Sequence, residues 1–162
     1  MAKKKKKDNK LINLIVFALG LLATLTIFLP ALVTGSGDNQ VFYSGLDISF
    51  GKTLTDWGTL VNAKIPFNML AVIAYVLPIV GGFLILFSER KDKVLKLISI
   101  VLFLASAVLL FLLPSYIEVI TESGLFGGTM TDKLSENLAW GSIVGGALSV
   151  LALFGSAYKL VK

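Results

Sequence analysis

Four stretches of this chain each run for more than twenty residues with no charged side chain other than Lys96, two residues in from the start of the third: Leu11–Val33, Pro66–Ser88, Val94–Ile117 and Asn137–Tyr158. A hydrocarbon slab about 30 Å thick is crossed by roughly 20 apolar residues in an α-helix. Inside such a slab every backbone N–H and C=O must find its partner within the protein, and a helix provides this by itself. The apolar share of the chain, 56%, exceeds the roughly 45–50% of ordinary domains, and its charged share of 15% falls below the usual value of roughly 25%. A soluble domain of 162 residues has no interior for that much hydrocarbon. The sequence predicts an all-α integral membrane protein with four transmembrane helices in one bundle. Residues 1–10 form a basic tail, 11–158 the membrane domain with outer loops 34–65 and 118–136, and 159–162 a short C-terminus.

Lys and Arg near span ends set orientation, because cytoplasmic loops carry the excess. Lys3–Lys7 and Lys10 precede the first span, Arg90, Lys91, Lys93 and Lys96 surround the link between the second and third, and Lys159 and Lys162 follow the fourth. These are twelve of the fifteen basic residues. The other two loops hold Lys52, Lys64 and Lys133 against seven acidic residues, Asp38, Asp47, Asp56, Glu118, Glu122, Asp132 and Glu136. Both termini are expected in the cytoplasm of a cell membrane, with loops 34–65 and 118–136 outside. The lysine run reads as a topology anchor resting on anionic headgroups, where each basic residue gains about 1 kcal/mol. No aromatic residues interleave with it, so nucleic acid is not an expected partner. The tail and first apolar run also resemble a secretory signal, but signal cores are roughly 7–15 residues long and this run is longer.

The chain contains no Cys and no His. Disulfides, thiol nucleophiles, Cys/His zinc sites and imidazole triads are excluded by inventory. No catalytic, cofactor-binding or metal-ligating residues are assigned.

The segment SGLDISFGKT, residues 44–53, ends like a phosphate-binding loop. Such a loop requires four residues between its glycines so that successive N–H groups converge on one phosphate. Here five residues separate Gly45 from Gly51, and the expected location is external. No nucleotide is expected there. The later segment SGLFGGTMTD, residues 123–132, matches it once Asp47–Ile48–Ser49 are removed. Each copy follows a span ending in Leu-Pro (Leu29–Pro30, Leu113–Pro114) and precedes a span containing IVGG (Ile79–Gly82, Ile143–Gly146). This suggests two helix–loop–helix hairpins as a parallel internal repeat about an axis normal to the membrane.

In the first outer loop Leu46, Ile48 and Phe50 alternate with polar or small residues, the period of a short extended piece. Leu54, Trp57, Leu60 and Val61 then fall at helical spacing, with Thr53 as N-cap and Asp56 three residues on. Leu54, Trp57 and Leu60 are the candidate interaction residues of that helix, which either binds a partner or lies in the interface with Trp57 in the aromatic belt. The second loop, Gly-rich and acidic, is expected to form a shorter turn.

Three features stand inside the spans. Pro78 removes a backbone hydrogen bond to Ala74 and marks a kink or a site. Gly141, Gly145 and Ser149 form a small-residue stripe for close helix packing, against another span of this chain or against a second copy. Asn13 and Asn68 are amides near opposite membrane faces.

Four spans with a larger first outer loop resemble the claudin-like proteins, but this loop has SGL and Trp57 and none of the cysteines of their signature. In outline the chain is similar to small four-span proteins of Gram-positive bacteria, which implies a bacterial plasma membrane and carries no motif of known activity. The expected function is non-enzymatic: an accessory subunit, scaffold or immunity-type protein acting through helix and outer-loop contacts, with a membrane-protein partner or a second copy. The alternative is a channel or carrier for a neutral solute or small ion, lined by Thr24, Thr26, Tyr75, Ser99, Ser106, Ser142 and Ser149. An intramembrane enzyme is least expected, since every carboxylate lies in a loop or flank.

Overall fold

The computed structural model describes residues 2–35, 37–56, 61–88, 92–123, 128–134 and 137–161. Trp57, Leu60, Arg90, Lys91, Glu136 and Lys162 lie outside them, as do residues 124–127 of the SGLFGG segment.

The chain is mostly helical, and four of its helices are long and apolar enough to cross a membrane: Lys10–Phe28, Met69–Phe87, Lys93–Phe111 and Trp140–Val161. The first belongs to α1 (Ala2–Leu25) and a following 3-10 turn (Thr26–Phe28); the others are α3 (Met69–Phe87), α4 (Lys93–Phe111) and α6 (Trp140–Val161). Several helix ends differ from the expected spans, three of them for clear local reasons. Leu29 precedes proline and is extended (φ −93°, ψ 160°), so the first helix stops short of Val33. Before α3 the chain waits for Asn68, whose side chain caps Ala71 N–H, rather than starting at Pro66. Helix α4 ends at Phe111, and one separate turn, α5 (Leu113–Tyr116), follows with Pro114 at its start.

The helices form a ring. Helix α1 packs on α3 and α6, and α4 packs on α3 and α6, leaving α1 and α4 diagonally opposed. Their outward faces carry large apolar side chains. On α4, Leu97, Val101, Leu104 and Val108 are all about half exposed and recur at helical spacing. A ring of apolar helices with apolar outer faces is compatible with a membrane location.

The expectation of an all-α chain is corrected by two small sheets outside the bundle. One has the order β2-β1-β7, from β1 (Pro30–Thr34), β2 (Val41–Ser44) and β7 (Asn137–Leu138). The other has the order β3-β4-β5-β6, from β3 (Lys52–Asp56), β4 (Val61–Ile65), β5 (Glu118–Ser123) and β6 (Gly128–Lys133). All pairings are antiparallel. The helix predicted from Thr53 onward does not form where the chain is described: Thr53 and Leu54 lie on β3, with Thr53 opposite Lys64 of β4 and Leu54 at an irregularity in the pairing, while Trp57 and Leu60 lie outside the described residues. Leu54 is partly buried against the core cluster of Leu32, Ile48 and Tyr75 rather than presented on a helix face. The second loop, expected as a simple turn, is the β5–β6 hairpin. Leu46, Ile48 and Phe50, expected to be extended, lie in the six-residue helix α2 (Gly45–Phe50). Its capping box explains the reversal: the Ser44 side chain accepts from Asp47 N–H, and Asp47 accepts from Ser44 N–H. Gly51 ends the helix at φ 89°, a conformation that favours glycine.

Helix α2 lies over the end of the bundle next to the sheets, with Ile48 and Ser49 fully buried. Gly45 is needed for this approach. A Cβ there would come within 2.7 Å of the Ile27 backbone and 2.8 Å of the Tyr75 ring. Burial pushes the Asp47 carboxyl up, but hydrogen bonds from the Lys52 ammonium and from Ser44 outweigh it and hold it below its ordinary 3.8. A depressed carboxyl stabilises the fold above its unfolded-state pKa, and that contribution is lost as pH falls through the folded value. Thermal stability of the purified protein should therefore decline below a pH of about 3.8, and Asp47→Asn should flatten that part of the profile. At neutral pH Ser44→Ala should lower stability by about 1 kcal/mol, read by chemical or thermal unfolding in detergent.

Candidate functional site

The polar groups inside the bundle form a ladder with helical repeat. Ser99 and Ser106 stand seven residues apart on α4; Ser142, Ser149 and Ser156 are spaced by seven on α6, and all five are fully buried. Seven residues are close to two helical turns, so each set lies on one stripe. The rungs cross between helices. Ser99 Oγ donates to Gly81 C=O at 2.8 Å and lies 3.5 Å from Ser156 Oγ. Ser106 Oγ donates to Ala74 C=O at 2.8 Å and lies 3.3 Å from Ser149 Oγ. At the end next to the sheets Ser142 Oγ donates to Ala31 C=O at 2.9 Å, the same oxygen that accepts Ala139 N–H.

The Ser106 rung explains how Pro78 is accommodated. Proline has no N–H, so the carbonyl four residues earlier, Ala74, has no helical donor. Ser106 provides one from the neighbouring helix. Helix α3 continues through Pro78, which is buried. Directly beside it α1 approaches closely: a Cβ on Gly20 would collide with the Pro78 carbonyl.

The small-residue stripe of α6 lies against this chain's own residues. A Cβ on Gly141 would run into Leu29 and Pro30, and one on Gly145 into the Thr26 hydroxyl, with Leu110 at 3.3 Å. Ser149 follows on the same helix and also back-bonds to Gly145 C=O at 3.0 Å. Of the hydroxyls considered as a solute path, Ser99, Ser106, Ser142 and Ser149 thus bond to backbone carbonyls. Thr26 Oγ1 bonds to Ala23 C=O at 2.7 Å. Thr24 Oγ1 and the Tyr75 hydroxyl are buried with no hydrogen-bond partner; Tyr75 approaches Ser142 without reaching bonding geometry.

At the end of the bundle away from the sheets stand two residues whose place near the span ends marks them in the sequence only as topology signals. Lys96 and Lys159 are 3% and 7% exposed, among the most deeply buried charged side chains of the described residues. Lys159 Nζ donates to Asn13 Oδ1 on α1. On the sheet β3-β4-β5-β6, a shallow depression of about 180 Å³ is lined by Thr53, Asn62, Lys64 and Glu122. It is bridged by the Lys64–Glu122 ion pair at 2.7 Å, which ties β4 to β5. Among the described residues no group of three or more His, Cys, Asp or Glu is placed to hold a metal ion.

Compared with known proteins, the chain matches no family model, no curated sequence and no solved structure.

A double-mutant cycle tests the proline rung. Ser106→Ala should cost about 1 kcal/mol, up to about 1.7, because an interhelical bond is lost and Ala74 C=O is left bare. Pro78→Ala restores the donor within α3, so in that background Ser106→Ala should cost clearly less. Unfolding in mixed micelles measures both, and equal costs in the two backgrounds would refute the link.

Proposed function

We propose that this chain is a non-enzymatic multi-pass membrane protein, an accessory subunit, scaffold or immunity-type protein, that acts through its outer surface. The observation that carries the reading is the sheet β3-β4-β5-β6, built from both outer loops and standing outside the helix ring. Strand β6 is exposed at every position, including Met130, and forms one edge of that sheet. An unpaired edge offers a row of backbone donors and acceptors to another chain. The bundle beneath supports the same reading, since its serines are engaged in joining helices.

A membrane protein partner docking on this outer face is the favoured occupant. A second reading, a channel or carrier for a neutral solute or small ion, draws on the unpartnered hydroxyls of Thr24 and Tyr75. Affinity purification from native membrane should return one stoichiometric membrane partner, lost when Thr129, Thr131 and Lys133 of β6 are replaced by proline. Solute or ion flux in liposomes holding only this protein would favour the second reading instead.

We also propose that the two hairpins are related by a pseudo-two-fold axis along the bundle. Two features support this. The ring pairs α1 with α3 as it pairs α4 with α6. The strand after α1 pairs with the strand before α6, and the strand after α4 pairs with the strand before α3, giving orders β2-β1-β7 and β6-β5-β4. On this equivalence β6 corresponds to β2, with α2 and β3 as an insertion in the first half. The matched FGKTLTD and FGGTMTD segments then do not correspond, because they lead into β3 and β6 at opposite edges of one sheet.

The proposed orientation has both termini in the cytoplasm. Single cysteines at Ser123 and Ser36 should react with an impermeant thiol reagent added outside intact cells, and cysteines at Ala2 and Lys162 should not. Labelling of either terminus would reverse the orientation.

A further inference from the structure

We propose that α2, through Phe50 and the neighbouring Phe67, is seated in the headgroup and upper acyl layer of the membrane, so that the occupant of this apolar patch is phospholipid. The level of α2 is fixed by its two ends. At its start Gly45 N–H donates to Leu29 C=O, just past the first span, at 3.1 Å. Near its end Ser49 C=O accepts from the N–H of Asn68, the cap of α3, at 3.0 Å. A segment tied to the end of one span and the start of another lies across the helix ends, at the depth where those spans leave the hydrocarbon.

The two sides of α2 differ. Ile48 and Ser49 are buried on the bundle. Phe50 is 60% exposed, and its ring centroid stands 6.4 Å from that of Phe67, itself 61% exposed. An exposed apolar patch marks an interaction site, and its continuity with the outward faces of the helices identifies the occupant. Met69, Val76, Val80 and Phe83 carry the exposed surface on from Phe67 at helical spacing along α3. That helix is 19 residues long, about 28 Å, close to the roughly 30 Å of a hydrocarbon core. Phe28, Leu112 and Trp140 are exposed at the corresponding ends of the other three spans. A protein partner or a second copy would cover one side of the bundle, whereas this boundary has an apolar side chain at every span, as a bilayer requires. The polar complement stands beside Phe50, where Lys52 Nζ pairs with Asp47 at 3.0 Å and remains half exposed toward headgroups and water. This seating rests on the membrane location proposed for the four helices and is independent of any partner at β6.

The chain has no native cysteine, so single nitroxide labels test the seating directly. Phe50→Cys and Phe67→Cys are spin-labelled in the full chain, in vesicles of phosphatidylcholine and phosphatidylglycerol. Leu104→Cys, near the middle of α4, is the lipid reference, and Met130→Cys on β6 the water reference. All four side chains are exposed, so the labels should leave the melting temperature unchanged. Power saturation reads collisions with oxygen, which concentrates in lipid, and with a water-soluble nickel chelate. Nickel collisions at Phe50 and Phe67 should be largely lost relative to Met130, and oxygen collisions should rise toward those at Leu104. Should the Phe50 label disturb the fold, Phe50→Trp in a chain with Trp57→Phe and Trp140→Phe gives a second readout, its emission quenched by lipids brominated high on their chains.

Nickel access at Phe50 and Phe67 equal to that at Met130, with Leu104 still in lipid, overturns the seating and leaves the spans in the membrane. Nickel access at Leu104 as well overturns both. Loss of oxygen and nickel collisions together at Phe50 and Phe67 shows a protein or a second copy over the patch and overturns the lipid occupant.

Discussion

The bond from Ser106 to the Ala74 carbonyl is the contact around which the bundle is organised. Pro78 strips that carbonyl of its donor at a depth where no solvent is expected to replace it. Without Ser106, α3 would carry a bare acceptor inside an apolar ring. With it, α4 is held against α3 at a fixed rotation and depth. The same stripe of α4 then brings Ser99 to Gly81 and both serines to their counterparts on α6. Between apolar helices there is little hydrophobic preference for one rotation over another, so hydroxyls and small residues choose it. Gly20, Gly141 and Gly145 are the complement of those bonds, permitting approaches that any side chain would block.

The two ends of the bundle are closed by different chemistry. At one end the capped helix α2 and the strands cover the helix ends, and the larger core cluster gathers Leu32, Ile48, Tyr75, Leu110 and Leu113. Backbone groups released where α1 and α4 stop are taken up by strand pairing and by links such as Asn68 Nδ2 to Tyr116 C=O at 3.1 Å. At the other end a smaller apolar cluster of Val16, Ile85, Phe103 and Ala152 gives way to Asn13, Lys96 and Lys159.

The four apolar helices were legible because a long uncharged run has few other fates, and Ala74 could be named as the carbonyl that Pro78 leaves bare. What the sequence hid is instructive. Leu46, Ile48 and Phe50 alternate, and over six residues alternation and a helical turn and a half cannot be told apart; the Ser44–Asp47 capping pair was the better signal. Leu54 fell into a helical pattern because periodicity sees neighbours along the chain, whereas β3 is held by β4 and the sheet by β5, more than fifty residues away. Lys96 and Lys159 were counted as topology markers by their position near span ends. Their offset of three residues from serines that repeat every seven was visible, and it was the signal that they face inward.

The most direct measurement of this account is disulfide cross-linking in native membranes, which the absence of native cysteine makes clean. Cysteine pairs at Ser99 with Ser156 and at Ser106 with Ser149 replace oxygens 3.5 and 3.3 Å apart. A control pair at Leu97 and Phe154 replaces exposed side chains. Mild oxidation should join each serine-derived pair within one chain and leave the control unjoined. Failure of both ladder pairs while their thiols still react with maleimide, or cross-links only between chains, would contradict the hydroxyl-organised bundle.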